Sequence, residues 1–209
     1  MLLLTIILLG YLIGSIPTAV WVGKSFRGID IREHGSKNAG ATNTFRVLGK
    51  RFGWLVLTVD VSKGILAACL PHFFSYMLEG YKDEFLILQL CGSFSAVFGH
   101  VFPVFAQFRG GKGVATSLGI VIGINPYAAL VCLAIFLIVF LSSRYVSLGA
   151  IISALSFPFV SYFMIQEDAR IMIVFTVVLG VMVILAHRKN IDRLWKGEEN
   201  KMNLFAKKA

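Results

Sequence analysis

Seven apolar runs, most about as long as a bilayer crossing, constrain this chain more than any other feature. The first, Leu2 to Gly23, meets no charge until Lys24. The others cover Phe52 to Leu78, Phe85 to Ala106, Gly113 to Ile124, Pro126 to Leu141, Val146 to Ile165 and Ile171 to His187. About 20 helical residues span the roughly 30 Å of a hydrocarbon core. In lipid, every backbone donor and acceptor needs a partner inside the protein, which leaves helices or a closed barrel. No barrel-type alternation occurs, so the expected fold class is all-α, a polytopic membrane helix bundle. Connections between the runs are short, and no internal repeat or low-complexity segment is visible. Residues 1–209 are expected to form one integral membrane domain with a basic tail at about 188–209. The first run lacks a basic start and an A-x-A-like site, so it is expected as a retained helix, not a cleaved signal.

Composition agrees with the segment lengths. The chain is 57% hydrophobic and 15% charged, with a mean hydropathy of +0.78, against about 45–50% apolar and about 25% charged in soluble domains. Disordered chains, disulfide scaffolds and most soluble enzymes are excluded. Cys69, Cys91 and Cys132 lie in apolar runs without metal-ligand spacing and read as small buried hydrophobes. No metal site and no cofactor are expected.

The charge balance is 20 Lys and Arg against 11 Asp and Glu, net +9. In a soluble protein this would suggest nucleic acid; here it reads as inside-facing charge, because cytoplasmic loops collect Lys and Arg. No nucleic-acid partner is expected. Lys24–Arg51 holds seven Lys and Arg, and the tail from Arg188 holds seven more. The hairpin at 79–84 is net acidic, and Gln166-Glu167-Asp168 carries no positive charge. Seven transmembrane helices put every basic cluster on the cytoplasmic side, with the amino terminus outside and the carboxyl terminus cytoplasmic. Six would put the two large basic regions on opposite faces. That counts the short Gly113–Ile124 run as a crossing, lodged among its neighbours.

Three polar elements carry candidate chemistry. Gly35-Ser36-Lys37-Asn38-Ala39-Gly40-Ala41-Thr42-Asn43, flanked by Arg32 and Arg46, can gather backbone N–H groups and short donors around an anion, with arginine as a planar clamp. It can also be a turn-rich loop that caps the next helix. Phe108-Arg109-Gly110-Gly111-Lys112-Gly113-Val114-Ala115-Thr116 leads into an apolar helix, where free N–H groups and the dipole favour a phosphate. It is not a nucleotide P-loop: Ala106 replaces the first glycine, and Gly113 replaces the magnesium-holding Ser/Thr. The alternative is a glycine-rich helix connection. The third element is His187-Arg188-Lys189-Asn190-Ile191. His187, Asn190 and Ile191 share a helix face, whereas Arg188 and Lys189 fit a basic helix end snorkelling to headgroups.

Asp60 and Lys63 stand at i, i+3 inside an apolar run. Intramembrane charges are functional suspects, and such a pair also neutralises itself. His100 reads as a satisfied helix-terminus histidine, and Ser15 beside Pro17 as a contact at a bend. Three phosphate-type elements on one membrane face point to a pocket for phosphorylated molecules bordering lipid.

Gly-Ser-Ile-Pro at 14–17, the 35–43 segment, Gly-His-Val-Phe-Pro-Val-Phe at 99–105, the 108–116 segment, Arg-Tyr-Val-Ser-Leu at 144–148 and His-Arg-Lys-Asn-Ile at 187–191 together resemble the bacterial acyl-phosphate:glycerol-3-phosphate acyltransferase family. The likeness covers nearly the whole chain. Each motif is weak alone; six in order are specific. The family commonly has Gly and Pro where this chain has Lys37 and Ala39. The resemblance implies transfer of a fatty acyl group from acyl phosphate to the 1-hydroxyl of glycerol 3-phosphate. The products would be lysophosphatidic acid and inorganic phosphate, in the first acylation of phospholipid synthesis. It implies a multi-pass protein of the bacterial cytoplasmic membrane whose active site faces the cytoplasm. The partners are the two substrates, membrane lipid and, as a candidate protein partner, the enzyme that forms the acyl phosphate. A coenzyme A thioester is not expected as donor. The His-x4-Asp motif of other glycerol-phosphate acyltransferases has one formal hit, His187 with Asp192, in the tail helix where the two point apart.

On this basis the expected catalytic residues are Ser36, Lys112, His187 and Asn190. The expected substrate and phosphate contacts are Asn38, Gly40, Thr42, Asn43, Arg46, Gly110, Gly111, Gly113, Arg144 and Ser147. No Ser-His-Asp or Cys-His arrangement is apparent, so direct attack by the glycerol hydroxyl without an acyl-enzyme is expected. Either His187 or a substrate phosphate would take the proton. The alternative is a small membrane transporter or binding protein for a phosphorylated metabolite, which would usually show an internal repeat.

Overall fold

The Gly14-Ser15-Ile16-Pro17 sequence breaks the first apolar run into two helices, α1 (Leu2–Gly14) and α2 (Thr18–Arg27). Proline has no N–H to continue the ladder and crowds the residue before it. The computed structural model describes residues 1–78, 82–164 and 169–202, and side chains outside 77–83 and 165–169. Most of the acidic hairpin at 79–84 and the Gln166–Asp168 segment lie outside the described residues. After α2 come a 3-10 turn at Ile31–Glu33, then α3 (Ala41–Val47), α4 (Lys50–Cys69) and a kinked 3-10 stretch at Leu70–Leu78. Next are α5 (Lys82–Val101), a turn at Val104–Ala106 and α6 (Val114–Ile124). The chain continues with α7 (Pro126–Ser143), α8 (Val146–Met164), α9 (Ala169–Ala186) and α10 (Arg188–Trp195). No strand occurs among the described residues.

Five helical stretches among the described residues are long and apolar enough to cross a membrane, or six if Arg170–Ala186 and Arg188–Trp195, bent by 61°, count as one. Val114–Ile124 is a shorter apolar helix. Large apolar side chains such as Leu4, Phe73, Leu130, Phe159 and Leu185 stand exposed on these helices. That is what a lipid-facing surface requires.

The chain forms two compact units, Met1–Pro126 and Tyr127–Ala209. In the first, α1 packs on α5 and α4 on α6 through small residues. A Cβ on Gly14 would overlap the Ala96 carbonyl, and one on Gly119 would overlap that of Val61. Close backbone approach of this kind is how helices associate where lipid removes the hydrophobic drive. In the second unit α8 packs on α9, and α10 rests on both.

Candidate active site

In the first unit the Gly35–Asn43 loop is built around Asn43, which is fully buried. Its Nδ2 donates to the Ile31 and His34 carbonyls at 3.0 Å each, and its Oδ1 accepts the Ser36 N–H at 2.8 Å. Both amide hydrogens are thus spent on shaping the loop. Asn43, expected as a substrate contact, is placed as the loop's organiser. Gly40 is extended and caps α3, while Thr44 Oγ1 donates to the Gly40 carbonyl at 3.1 Å. Lys37 takes the left-handed conformation at φ 58°. Ser36, Asn38, Thr42 and Arg46 are half-buried and Lys37 is exposed, so their polar groups stay reachable.

Arg32, expected as an anion clamp, is committed elsewhere. Its Nε and Nη2 donate to the two Asp30 oxygens at 2.9 and 2.7 Å, and Nη1 donates to the Ala106 carbonyl at 2.8 Å. The Arg32 guanidinium holds the Asp30 carboxyl well below the usual range, and Asp30 raises Arg32 in turn. Arg32 therefore ties the first polar loop to the turn before the glycine loop.

The glycine loop docks against the end of α5. Gly110 N–H donates to the Val101 carbonyl and Gly111 N–H to the His100 carbonyl, both at 3.1 Å. A Cβ on Gly110 would overlap the His100 carbonyl. One on Gly111 would overlap the His100 ring at Nε2 and lie 3.0 Å from the Ala39 carbonyl. The two amides expected to face a phosphate are therefore spent on α5's last carbonyls, which α-helices leave unpaired. What the glycines allow is the close fit of this loop to α5 and to the first polar loop. Gly113, at φ 80°, caps α6, a conformation that costs glycine least. The first intrahelical bond runs from Ser117 N–H to the Gly113 carbonyl at 2.7 Å. The amides of Val114, Ala115 and Thr116 precede it and are the helix-start donors. Lys112 is half-buried beside them. Gln107 and Phe108 hold φ near +58° in succession, strain of the kind that persists where surroundings over-determine the backbone.

In the second unit His187 sits at the bend between α9 and α10, where it is the residue before Arg188. It is buried, with Nδ1 2.8 Å from the Val183 carbonyl. A carbonyl only accepts, so Nδ1 carries the proton, and a neutral ring then has its lone pair on Nε2. Asn190 and Ser147 are buried and meet at one carboxylate. Asn190 Nδ2 and Ser147 Oγ donate to Glu199 Oε1 at 2.7 and 2.9 Å, and Arg193 Nε donates to Oε2 at 2.8 Å. Burial pushes the Glu199 carboxyl up, and the bonds from Arg193, Asn190 and Ser147 more than offset it, leaving it below its ordinary value. Arg144 is exposed at φ 64°, and its carbonyl accepts Met202 N–H at 2.9 Å. Sequence reasoning missed Glu199. Its signal was the Glu198-Glu199 pair that follows Gly197 in a net basic tail.

The structure thus brings together Ser36, Asn38, Gly40, Thr42, Asn43 and Arg46 with Gly110, Gly111, Lys112 and Gly113 in one unit. It groups Arg144, Ser147, His187 and Asn190 in the other. Among the described residues no group of three His, Cys, Asp or Glu side chains is arranged to hold a metal.

A family model described as glycerol-3-phosphate acyltransferase matches residues 4–197. The glycerol-3-phosphate acyltransferase of Listeria monocytogenes serovar 1/2a is 44% identical over 96% of this chain and 96% of its own length. That of Chlorobaculum tepidum is 40% identical over 98% of each. Among solved structures, the glycerol 3-phosphate form of PlsY, an integral membrane glycerol 3-phosphate acyltransferase, aligns with a TM-score of 0.85 at 35% identity, covering 98% of this chain and 99% of that one. The lysophosphatidic acid form of PlsY aligns with a TM-score of 0.82 over 96% of this chain.

Proposed function

The chain belongs to the glycerol-3-phosphate acyltransferase family, and we propose that its acyl donor is an acyl phosphate. The reaction forms lysophosphatidic acid and inorganic phosphate. The glycerol 1-hydroxyl oxygen attacks the acyl carbon, the bond from that carbon to the phosphate oxygen breaks, and the phosphate leaves with the hydroxyl proton. No acyl-enzyme forms, because phosphate is already a good leaving group. Rate then comes from positioning two bound substrates and from donors aimed at the developing oxyanion. The transporter alternative has no counterpart in the relatives above, which are acyltransferases.

We assign Lys112 and the start of α6 to a substrate phosphate, with Ser36, Asn38, Gly40, Thr42 and Arg46 serving the second phosphate and the reacting carbonyl. His187 and Asn190, with Ser147 and Arg144, orient glycerol 3-phosphate. The observation that carries this reading is the close fit of Gly111 to Ala39, which makes the first polar loop and the glycine loop neighbours. We assign the chain seven crossings of the bacterial cytoplasmic membrane, counting Val114–Ile124 and the bent α9–α10 pair. The amino terminus is outside, and the two basic regions and all assigned residues are on the cytoplasmic side. The enzyme that forms the acyl phosphate is the candidate protein partner.

Purified protein in detergent, given glycerol 3-phosphate and acyl phosphates of several chain lengths, should release one phosphate per lysophosphatidic acid formed. It should stay inactive with acyl coenzyme A alone. Lys112→Ala should cost about 2–5 kcal/mol of transition-state stabilisation if its pair is desolvated. Arg46→Lys should restore only part of what Arg46→Ala loses, because the planar fork is gone. Absence of phosphate release at every chain length, or turnover with acyl coenzyme A alone, overturns the donor assignment.

A further inference from the structure

Four polar residues from three helices meet inside the apolar body of the first unit. Asp60 and Lys63 of α4 are 2% and 4% exposed, and Thr18 of α2 and His100 of α5 are buried beside them. Lys63 Nζ lies 2.9 Å from Asp60 Oδ1 and donates to the Ile16 carbonyl at 3.0 Å. Ile16 stands at the break before Pro17, where a carbonyl is released from helix bonding. Thr18 Oγ1 donates to the same Asp60 oxygen at 3.2 Å, and His100 Nδ1 faces it at 3.9 Å. The other edge of the His100 ring, Nε2, lies directly under Gly111, and the His100 carbonyl holds the Gly111 amide. One histidine thus joins a buried ion pair to the glycine loop.

A self-neutralising pair needs neither His100 nor the helix break. Buried charges cost more than they return unless geometry and extra hydrogen bonds compensate, and apolar residues often serve stability as well. Here each extra contact leads to a place where the backbone must be held: the α1–α2 break and the end of α5. We propose that Asp60, Lys63, Thr18 and His100 form a positioning network that fixes the His100 ring and thereby the height of the Gly110–Gly111–Lys112 backbone over α5. The network touches no substrate. It sets where Lys112 and the α6 amides stand, and it rests on the reading that this loop binds a substrate phosphate.

The test is steady-state kinetics on purified, monodisperse protein, with both substrates varied and Lys112→Ala as reference. The substrate whose KM rises in Lys112→Ala is the one the loop binds. His100→Asn keeps a donor towards Asp60 but removes the ring from under Gly111. It should raise the same KM by about tenfold or more, the scale of a lost supporting contact, and move kcat less. The double variant Asp60→Asn/Lys63→Met removes both charges together, so no lone buried charge is left to unfold the protein. It should show the same KM signature, and restoring Asp60 and Lys63 should reverse it. The proposal is overturned if His100→Asn and the double variant, both folded, keep parental KM values while Lys112→Ala does not. It is equally overturned if their only effect is an equal fall in kcat at every substrate concentration. If Lys112→Ala moves neither KM, the phosphate reading of the loop fails, and the network proposal fails with it.

Discussion

Arg32 Nη1 donates to the Ala106 carbonyl at 2.8 Å, across 74 positions of sequence. With Asp30 gripping the other two nitrogens, this arginine is a clip between two loops. Arg32→Lys keeps the charge but not the three-way fork. We expect it to lower stability by about 1–3 kcal/mol, the cost of leaving partly buried partners unmet. The thermal midpoint of the detergent-solubilised protein, parent against variant, reads this directly. Arg46→Lys, which breaks no clip, should leave that midpoint nearly unchanged.

The sequence shows two arginines flanking one polar loop and offers the same clamp to both. Their partners separate them: Asp30, a local one two residues away, and Ala106, a tertiary one far along the chain, claim Arg32. The apolar runs were legible because lipid demands continuous length, and the break at Pro17 because proline cannot continue a ladder. The glycine loop was legible as a feature, but not the use of its amides. Whether Gly110 and Gly111 face a ligand or the end of α5 depends on where α5 stops. The Asp60–Lys63 pair followed from i, i+3 spacing, whereas the approach of His100 is set by packing between α4 and α5. Glu199 was missed because no periodicity marks a single acid that folds back from a tail.

Lys37 occupies a backbone conformation at φ 58° that costs an L-residue with a Cβ roughly 1–2 kcal/mol. Its neighbours Gly35 and Asn43 hold the loop there regardless. Lys37→Gly relieves the strain and adds some unfolded-state entropy, so the net gain should be about 0.5–1 kcal/mol. A higher thermal midpoint for this single variant is the expected result. A lower one would mean that Lys37 makes compensating contacts.

Glu199 holds Ser147, Asn190 and Arg193 together, and its folded-state carboxyl titrates below the ordinary value. A depressed acid contributes stability above its unfolded pKa, about 4.3 for glutamate, and loses it as pH falls through the folded value. Asp30 follows the same sign from about 3.9 downward. Stability should therefore be flat near neutrality and fall on acidification below about pH 4.5. Glu199→Gln should flatten part of that acid limb and lower the neutral-pH midpoint, because two charged hydrogen-bond acceptors become one neutral one. Midpoints measured across pH 3–7 for parent and variant would show both effects (the range is about that of the carboxyl titrations).

His187 donates from Nδ1 to the Val183 carbonyl at 2.8 Å, which directs the ring's remaining nitrogen to any proton-transfer role. Asparagine at this position can present its Nδ2 where Nδ1 stands, so the bond to Val183 survives while the titratable nitrogen disappears. If the leaving phosphate accepts the glycerol proton, as proposed, His187→Asn loses an orienting contact only. Turnover should then fall by less than about 100-fold, the lower edge of a general-base contribution. The KM for glycerol 3-phosphate should rise, and the pH profile of kcat should keep its shape. His187→Gln, which places an amide nearer Nε2 and abandons Val183, should be the worse of the two. The opposite pattern assigns the proton to His187: a loss of several orders of magnitude in kcat for His187→Asn, with glycerol 3-phosphate still bound and the acidic limb of the pH profile, where a general base is lost to protonation, abolished.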